Sequence, residues 1–279
     1  MEKPPAELFM IGLKKGMFDE TFFNTGCNCF CFKKNESDKS SKLTGINPVL
    51  RTFFYSNYEF DKKRFAKIKK KNGGYIKTKK RKVELNSIQS LDNYEINIGK
   101  KTSGKVRGAL VHEQFKLISD FNSFDAFFSV YNYLDNFTMM GIKWLQKKQL
   151  FPLKSELAIS DLNLNIGTAV DMVASDSAKN LVIIEWKTGN PDTFKYYSGR
   201  MENEMKTHFN NSPYSQAILQ LLMTYQILVK NYFLPIKKCY IVHISEEKIE
   251  EYSPTNEMLE FSNLLYGILK KHLDFSKKK

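Results

Sequence analysis

Two acidic residues and a lysine in the middle of the chain have the types and spacing of a metal-dependent hydrolytic site. Asp171 precedes Glu185 by fourteen positions, and Lys187 follows Glu185 by two. Carboxylates supply the oxygen ligands that hard divalent cations such as Mg²⁺ prefer. The lysine adds a positive group beside them, which can position water or stabilise charge on a reacting phosphate.

The surrounding sequence predicts a β-hairpin that brings the two acids together. Two β-rich runs flank the polar segment 175–180, whose residues favour a turn. The runs are 166–174 and 181–188. If Ala178 is the centre of the turn, Asp171 and Glu185 are equally far from it and lie opposite each other.

Strand alternation then sorts the side chains of this hairpin by face. Glu185 and Lys187 share one face with Asp171, whereas Ile184 and Trp186 take the other. Opposed Cβ atoms in an antiparallel pair lie roughly 4.5–5.5 Å apart. Two carboxylates at that separation repel unless a cation lies between them.

This arrangement resembles the core of the PD-(D/E)XK nucleases, and its surroundings resemble their RecB-type exonuclease branch. Further matches occur in the same order as in that branch, between residues 104 and 244. They are Gly108 and His112 on a helix predicted from 106 to 118, Glu156 on a strand predicted from 153 to 159, Gly167 before Asp171, and Gln220-Leu221 on a helix beginning at Pro213. One position departs from the pattern, because Thr224 stands where the motif has a tyrosine, with Tyr225 next to it.

The resemblance implies an α/β fold and an activity. The fold would be a restriction-endonuclease-like αβββαβ core, with a central mixed sheet flanked by helices. The activity would be Mg²⁺- or Mn²⁺-dependent hydrolysis of DNA phosphodiester bonds, by an exonuclease rather than an endonuclease, in replication, repair or recombination. It would leave 5′-phosphate ends. There are two alternatives: a non-catalytic nucleic-acid-binding protein on the same scaffold, and a protein-interaction or structural module.

The resemblance also implies roles for individual residues. The metal ligands would be His112, Asp171 and Glu185, with the main-chain carbonyl of Trp186 in support. Glu156 would support the site by positioning metal or water. Lys187 and Gln220 would be the catalytic residues.

One basic segment carries nearly all the excess charge. The formal net charge is +13, and residues 62–82 contain twelve Lys or Arg and no acid, so the rest of the chain is nearly neutral. The segment suits nucleic-acid contact, nuclear targeting or a solvated arm, and the sequence leaves all three open. Its candidate phosphate-binding residues are Lys69, Lys70, Lys71, Lys79, Lys80 and Lys82.

Length and cysteine content limit the class of protein. The 279 residues, 42% of them hydrophobic, suffice for a sizeable core, and we predict an N-terminal extension over 1–104 and a nuclease domain over 105–279. Four cysteines are too few for a disulfide framework. With no apolar run of membrane-spanning length, we expect an intracellular protein, cytoplasmic or nuclear, that binds DNA and no membrane.

The cysteines do not favour an iron–sulfur cluster. Cys27, Cys29 and Cys31 alternate near the N-terminus, and Cys239 alone lies downstream. Clusters in RecB-type nucleases use four cysteines that bracket the core at other spacings. Buried thiols are therefore the expected state, and the role of the alternating set stays open.

Overall fold

A computed structural model describes residues 3–24, 29–33, 39–54, 104–121, 134–195, 201, 205 and 209–276. The basic segment 62–82, with its six candidate lysines, and Cys27 lie outside these residues. The helices are α1 (Pro5–Lys14), α2 (Ile46–Phe53), α3 (Gly104–Phe121), α4 (Asn136–Lys147), α5 (Pro191–Phe194), α6 (Pro213–Asn231) and α7 (Asn256–Ser276). Within the described part of the chain, no helix combines the length and the apolar character needed to cross a membrane.

The strands form one eight-stranded mixed sheet, flanked by helices, so the expected α/β class is confirmed. The strands are β1 (Thr21–Asn24), β2 (Cys29–Phe32), β3 (Ser41–Gly45), β4 (Phe151–Asp161), β5 (Ile166–Ser175), β6 (Leu181–Thr188), β7 (Ile236–Ile244) and β8 (Ile249–Tyr252). β5 is the central strand: β4 pairs with it antiparallel along its whole length, and β6 pairs with it antiparallel near its end. β6 and β7 run parallel, and β8 closes the sheet antiparallel to β7.

Two hydrophobic clusters cover the two faces of this sheet. α1, α2, α6 and α7 pack on one face, where they bury side chains such as Ile183 and Ile241. α3 and α4 pack on the other face, over Ile184, Trp186 and Val242. Neighbouring residues of β6 thus belong to opposite clusters, as strand alternation requires.

The N-terminal residues contribute to the same sheet and core. β3 pairs parallel with the start of β5, and β1 and β2 extend the sheet beyond it. Phe9 and Leu50, from α1 and α2, are fully buried in the cluster that contains α6. The residues up to Phe54, which we predicted to form an extension, therefore share the layers of the remaining chain.

Close packing between α3 and α4 depends on a glycine. A Cβ atom added at Gly141 would lie 2.4 Å from Cζ of Phe115, a side chain that is fully buried. We expect Gly141→Ala to lower the free energy of unfolding by about 1–3 kcal/mol, because the core must shift to admit the methyl group. Denaturant unfolding measures this loss.

Gly267 provides the matched control for that substitution. It lies within helix α7, and an added Cβ would meet nothing within 4 Å. Gly267→Ala is expected to raise stability by about 0.5–1 kcal/mol, since alanine restricts the unfolded chain more than glycine does. Equal effects of the two substitutions would contradict the packing of α3 against α4.

Candidate metal centre

The hairpin has the register that the sequence predicts. β5 and β6 pair from Ser175–Leu181 to Met172–Ile184, and continuing this register places Asp171 opposite Glu185. The backbone ladder ends at Met172, and the next contact comes from a side chain. The backbone N–H of Trp186 donates to Oδ2 of Asp171 at 2.8 Å. Asp171 therefore joins the two strands at the point where their backbones separate.

An open stretch of β5 lies next to Asp171. β4 occupies one edge of β5 from end to end, so β3 and β6 must share the other edge. β3 stops at the pair Gly45–Gly167, and β6 begins to pair at Met172. Among the described residues, 168–171 thus have no strand partner on that edge. The opening lies beside the acidic residues.

Helix α3 brings His112 to Asp171. Gly108, one turn before His112, allows this approach, because an added Cβ would lie 3.1 Å from Oγ1 of Thr188 on β6. Nδ1 of His112 lies 2.9 Å from Oε1 of Glu156 and 3.8 Å from Oδ1 of Asp171. One ligand atom from each of these three side chains lies within 4.8 Å of the others.

The backbone at Glu156 explains how β4 contributes a carboxylate to this group. Glu156 has φ = 50°, in the left-handed region that residues other than glycine seldom occupy. Ser155, just before it, donates from Oγ to the carbonyl of Phe115 on α3, whereas Leu157 belongs to the cluster on the opposite face. The strand thus departs from regular alternation at Glu156. Such strain costs roughly 1–3 kcal/mol and is typical of functional sites.

Glu185 and Lys187 form the second half of the site. Nζ of Lys187 donates to Oε1 of Glu185. Glu185 is buried, with 2% of its surface exposed. Among the described residues, the potential ligand group consists of His112, Glu156 and Asp171, whereas we predicted Glu185 as the third ligand and Glu156 in a supporting role. Glu185 lies near enough to Asp171 that the negative charge of Asp171 raises its pKa.

Burial and charge shift the pKa values of four groups in this site, Asp171, Glu185, His112 and Lys187. Burial raises the pKa of Asp171, and burial together with the charge of Asp171 raises the pKa of Glu185 to about 7. Burial disfavours the charged form of His112, but Asp171 and Glu156 outweigh it and raise its pKa to about 9. Burial likewise opposes the ammonium form of Lys187, yet the carboxylates, chiefly that of Glu185, raise its pKa.

The donor set fits a hard divalent cation. Buried carboxylates with raised pKa values gain from any nearby positive charge, and carboxylate oxygens suit Mg²⁺ and Mn²⁺. Among the described residues, the three carboxylates of Glu156, Asp171 and Glu185 lie near two basic side chains, those of His112 and Lys187. These residues could therefore hold such an ion, with His112 supplying a ligand once it has lost its proton.

The remaining predicted site residues have different surroundings. Trp186 is buried and stacks on Phe115, with ring centroids 4.2 Å apart, so only its backbone faces the site. Its carbonyl remains a predicted ligand. Gln220 is half-buried on α6, and its Oε1 accepts a hydrogen bond from Nδ2 of Asn47 at 3.1 Å. No motif in the sequence indicated a role for Asn47, which precedes the region of resemblance.

The pKa of His112 leads to a prediction about metal-free protein. Because this pKa is raised from 6.5 to about 9, the protonated ring stabilises the fold fully below pH 6.5 and loses that effect as pH rises through 9. We expect the free energy of unfolding in EDTA to fall over this range more steeply for the wild type than for His112→Gln. Urea unfolding at several pH values measures both. Parallel pH profiles would contradict the ion pairs of His112.

Comparisons with known proteins give little guidance. No protein-family model matches the chain, and a search of curated proteins gives no match. The solved structures that match include one titled "Crystal structure of SSO0001", with 14% sequence identity and a TM-score of 0.28. This match covers 58% of this chain and 87% of that chain. A TM-score this low is no evidence for fold or function.

Proposed function

We propose that this protein is a metal-dependent DNA nuclease with a PD-(D/E)XK-type core. The observation that carries the proposal is the convergence of five side chains from four elements. They are His112 on α3, Glu156 on β4, Asp171 on β5, and Glu185 and Lys187 on β6. A surface hairpin with an incidental ion pair would not also account for the buried carboxylates and the strained backbone at Glu156.

The order of elements supports the finer fold assignment. From α3 onward, the described residues form two helices, three antiparallel strands, two further helices, and then a strand parallel to β6. Setting aside α4 and the short α5, this order corresponds to αβββαβ. The parallel β6–β7 pair requires a crossover, which α6 provides.

Each residue of the site has a distinct part in the proposed reaction. Asp171 would hold the cation together with Glu156 and His112, helped by Glu185, and the hydrogen bond from the backbone of Trp186 holds the Asp171 carboxylate in place. When bound, the ion lowers the pKa of water and offsets negative charge developing at the phosphate. Lys187 stands next to these ligands, where its ammonium group can hold the attacking water or stabilise the same charge.

The charge distribution supports nucleic acid as the substrate. The segment 62–82 supplies a dense positive charge, which attracts a phosphate backbone whatever the base sequence. The resemblance favours an exonuclease of DNA replication, repair or recombination. The runner-up is a non-catalytic nucleic-acid-binding protein, and the presence of Asp171, Glu185 and Lys187 together argues against it.

A cleavage assay on two forms of one DNA tests the proposal. We expect purified protein to degrade labelled linear DNA with Mg²⁺ or Mn²⁺, to spare covalently closed DNA, and to be inactive in EDTA. Asp171→Asn, purified in the same way, controls for a contaminating nuclease. Cutting of closed circles would indicate an endonuclease. Absence of cleavage with either ion, or equal cleavage by the variant, would contradict the proposed activity.

The basic segment gives a separate prediction about DNA affinity. Each phosphate neutralised adds roughly 0.9 to the slope of log K against log salt for duplex DNA. Replacing Lys69, Lys70, Lys71, Lys79, Lys80 and Lys82 with glutamine is therefore expected to flatten that slope by several units. Titrations of labelled DNA at several salt concentrations measure the slope.

Cleavage by this six-residue variant separates binding from chemistry. At saturating DNA and low salt, we expect kcat to remain close to the wild-type value, because the hairpin carries the reacting groups. An unchanged slope with loss of nuclear accumulation in cells would identify a targeting signal instead. A collapse of kcat with the fold intact would place the segment in the active site.

A further inference from the structure

Helix α6 crosses the sheet next to the acidic site. At its start, Tyr214 lies against Phe194, with ring centroids 5.9 Å apart, and Phe194 stacks on His243 at 4.4 Å. His243 is the register partner of Lys187 on the neighbouring strand. The first turn of α6 therefore lies close to the β6–β7 pair, at the level of Lys187. Gln220 follows Tyr214 by six residues, less than two helical turns.

Helix α2 approaches the same place from the N-terminal part of the chain. It begins directly after Gly45, which pairs with Gly167 on β5, four residues before Asp171. The first turn of α2 thus stands at the open stretch of β5 described above. Asn47 belongs to this turn and reaches Gln220 on α6. The two side chains therefore meet near this open stretch of β5.

The hydrogen bond between them sets the orientation of one amide group. Nδ2 of Asn47 donates to Oε1 of Gln220, so the oxygen of Gln220 faces α2 and its NH₂ group faces away. Among the described residues, none accepts a hydrogen bond from that NH₂ group. Asn47 itself is exposed, and Gln220 is half-buried, so substrate can reach the pair. An amide NH₂ is a donor of two hydrogens and matches an acceptor such as a phosphate oxygen.

We propose that Asn47 is a positioning residue that turns the Gln220 amide so that its NH₂ group donates to a phosphate of the nucleic-acid strand entering the acidic site. This inference rests on the proposed nuclease function. Gln220 touches the substrate, and Asn47 acts through Gln220. The N-terminal part of the chain thereby contributes to substrate binding through α2 as well as to the core.

The substitution Asn47→Asp tests the orientation of the amide, because a carboxylate cannot donate. The Gln220 amide would then turn its NH₂ group toward α2 and present its oxygen to the phosphate. We expect N47D to raise KM for linear DNA about tenfold and N47A about fivefold, as for one lost hydrogen bond, with kcat within about twofold of wild type. Melting temperatures of all variants check the fold.

Two further variants separate positioning from charge and from packing. Thr52→Asp places a negative charge on the same helix, where Thr52 is exposed and its Oγ1 donates to the carbonyl of Pro48. It is expected to change KM less than about twofold. In a Gln220→Ala background, N47D should raise KM by less than a further factor of about two, since the effects of two residues that act as one unit are not additive.

The outcomes distinguish this inference from the proposed function. If wild type cleaves DNA, two results would show that the positioning role of Asn47 is wrong. One is a KM of N47D within twofold of the wild-type value. The other is a rise in KM caused by N47D that is the same in the Gln220→Ala background as in the wild type. If wild type does not cleave, the nuclease proposal fails, and anisotropy with labelled DNA in EDTA decides the inference alone. A tenfold rise in Kd for N47D would then uphold it, and an unchanged Kd would overturn it.

Discussion

Lys187→Ala is expected to abolish DNA cleavage while the fold and metal binding remain. Lys187 donates to Glu185 on the same strand, and its ammonium group is therefore held next to the proposed ligands without being one. Removing one preorganised charged donor of this kind costs roughly a hundredfold or more in kcat. Single-turnover cleavage of labelled linear DNA, with enzyme in excess, measures the loss without a contribution from product release.

Two variants make this result interpretable. Lys187→Gln keeps a hydrogen-bond donor for the buried Glu185, so it guards against misfolding caused by an unpaired carboxylate. Lys154→Ala is the matched control, because Lys154 is also a strand lysine paired with a carboxylate, at 3.1 Å from Asp120. We expect it to change kcat less than about twofold. Cleavage by Lys187→Ala within tenfold of wild type would remove Lys187 from the mechanism.

The hairpin could be predicted from sequence because its information is local. Polar residues mark the turn, and strand alternation then assigns Asp171 and Glu185 to opposed positions, which is the register found. The same locality holds for α6, which has Pro213 in its first turn and Ser212 as a capping residue. The strand carrying Glu156 was also expected, although it extends two residues further at each end.

The composition of the ligand group could not be predicted in the same way. Regular alternation along β4 gives no reason for Glu156 to approach His112, because the approach depends on a left-handed backbone at that residue. The pairing of Lys187 with Glu185 differs in this respect, because both residues lie on one strand and alternation places them on the same face. The contact between Glu156 and His112 depends on how β4 and α3 pack, and spacing in the sequence does not encode that.

The N-terminal strands were the largest gap in the expectations. β3 pairs with β5 across more than a hundred residues of sequence, and the contact involves only Thr44–Ile166 and Gly45–Gly167. A pairing this short leaves no periodicity that could be recognised. Its consequence for the site is nevertheless large, because β3 limits the open stretch of β5 and places α2, with Asn47, beside it.

Asp171→Asn is expected to abolish the stabilisation of this protein by divalent cations. An ion that binds only the native state stabilises it by RT ln(1 + [L]/Kd), about 2.7 kcal/mol at one hundred times Kd. For a chain of this size, that corresponds to a rise in Tm of about 5–10 °C. The substitution is nearly isosteric, and its amide oxygen can still accept from the backbone N–H of Trp186, so the junction between β5 and β6 is kept.

The effect is read as the difference in Tm between Mn²⁺ and EDTA, which removes any change in intrinsic stability. Asp161→Asn is the matched control, because Asp161 is fully buried and accepts from Leu164 and Tyr266 outside the site. It should lower Tm in both conditions and leave the difference intact. In Asp171→Asn the difference in Tm between Mn²⁺ and EDTA should vanish. The proposed ligand set then lacks the carboxylate that lies near both Glu185 and His112. A Tm that still rises with Mn²⁺ as in wild type would show that Asp171 is not a metal ligand.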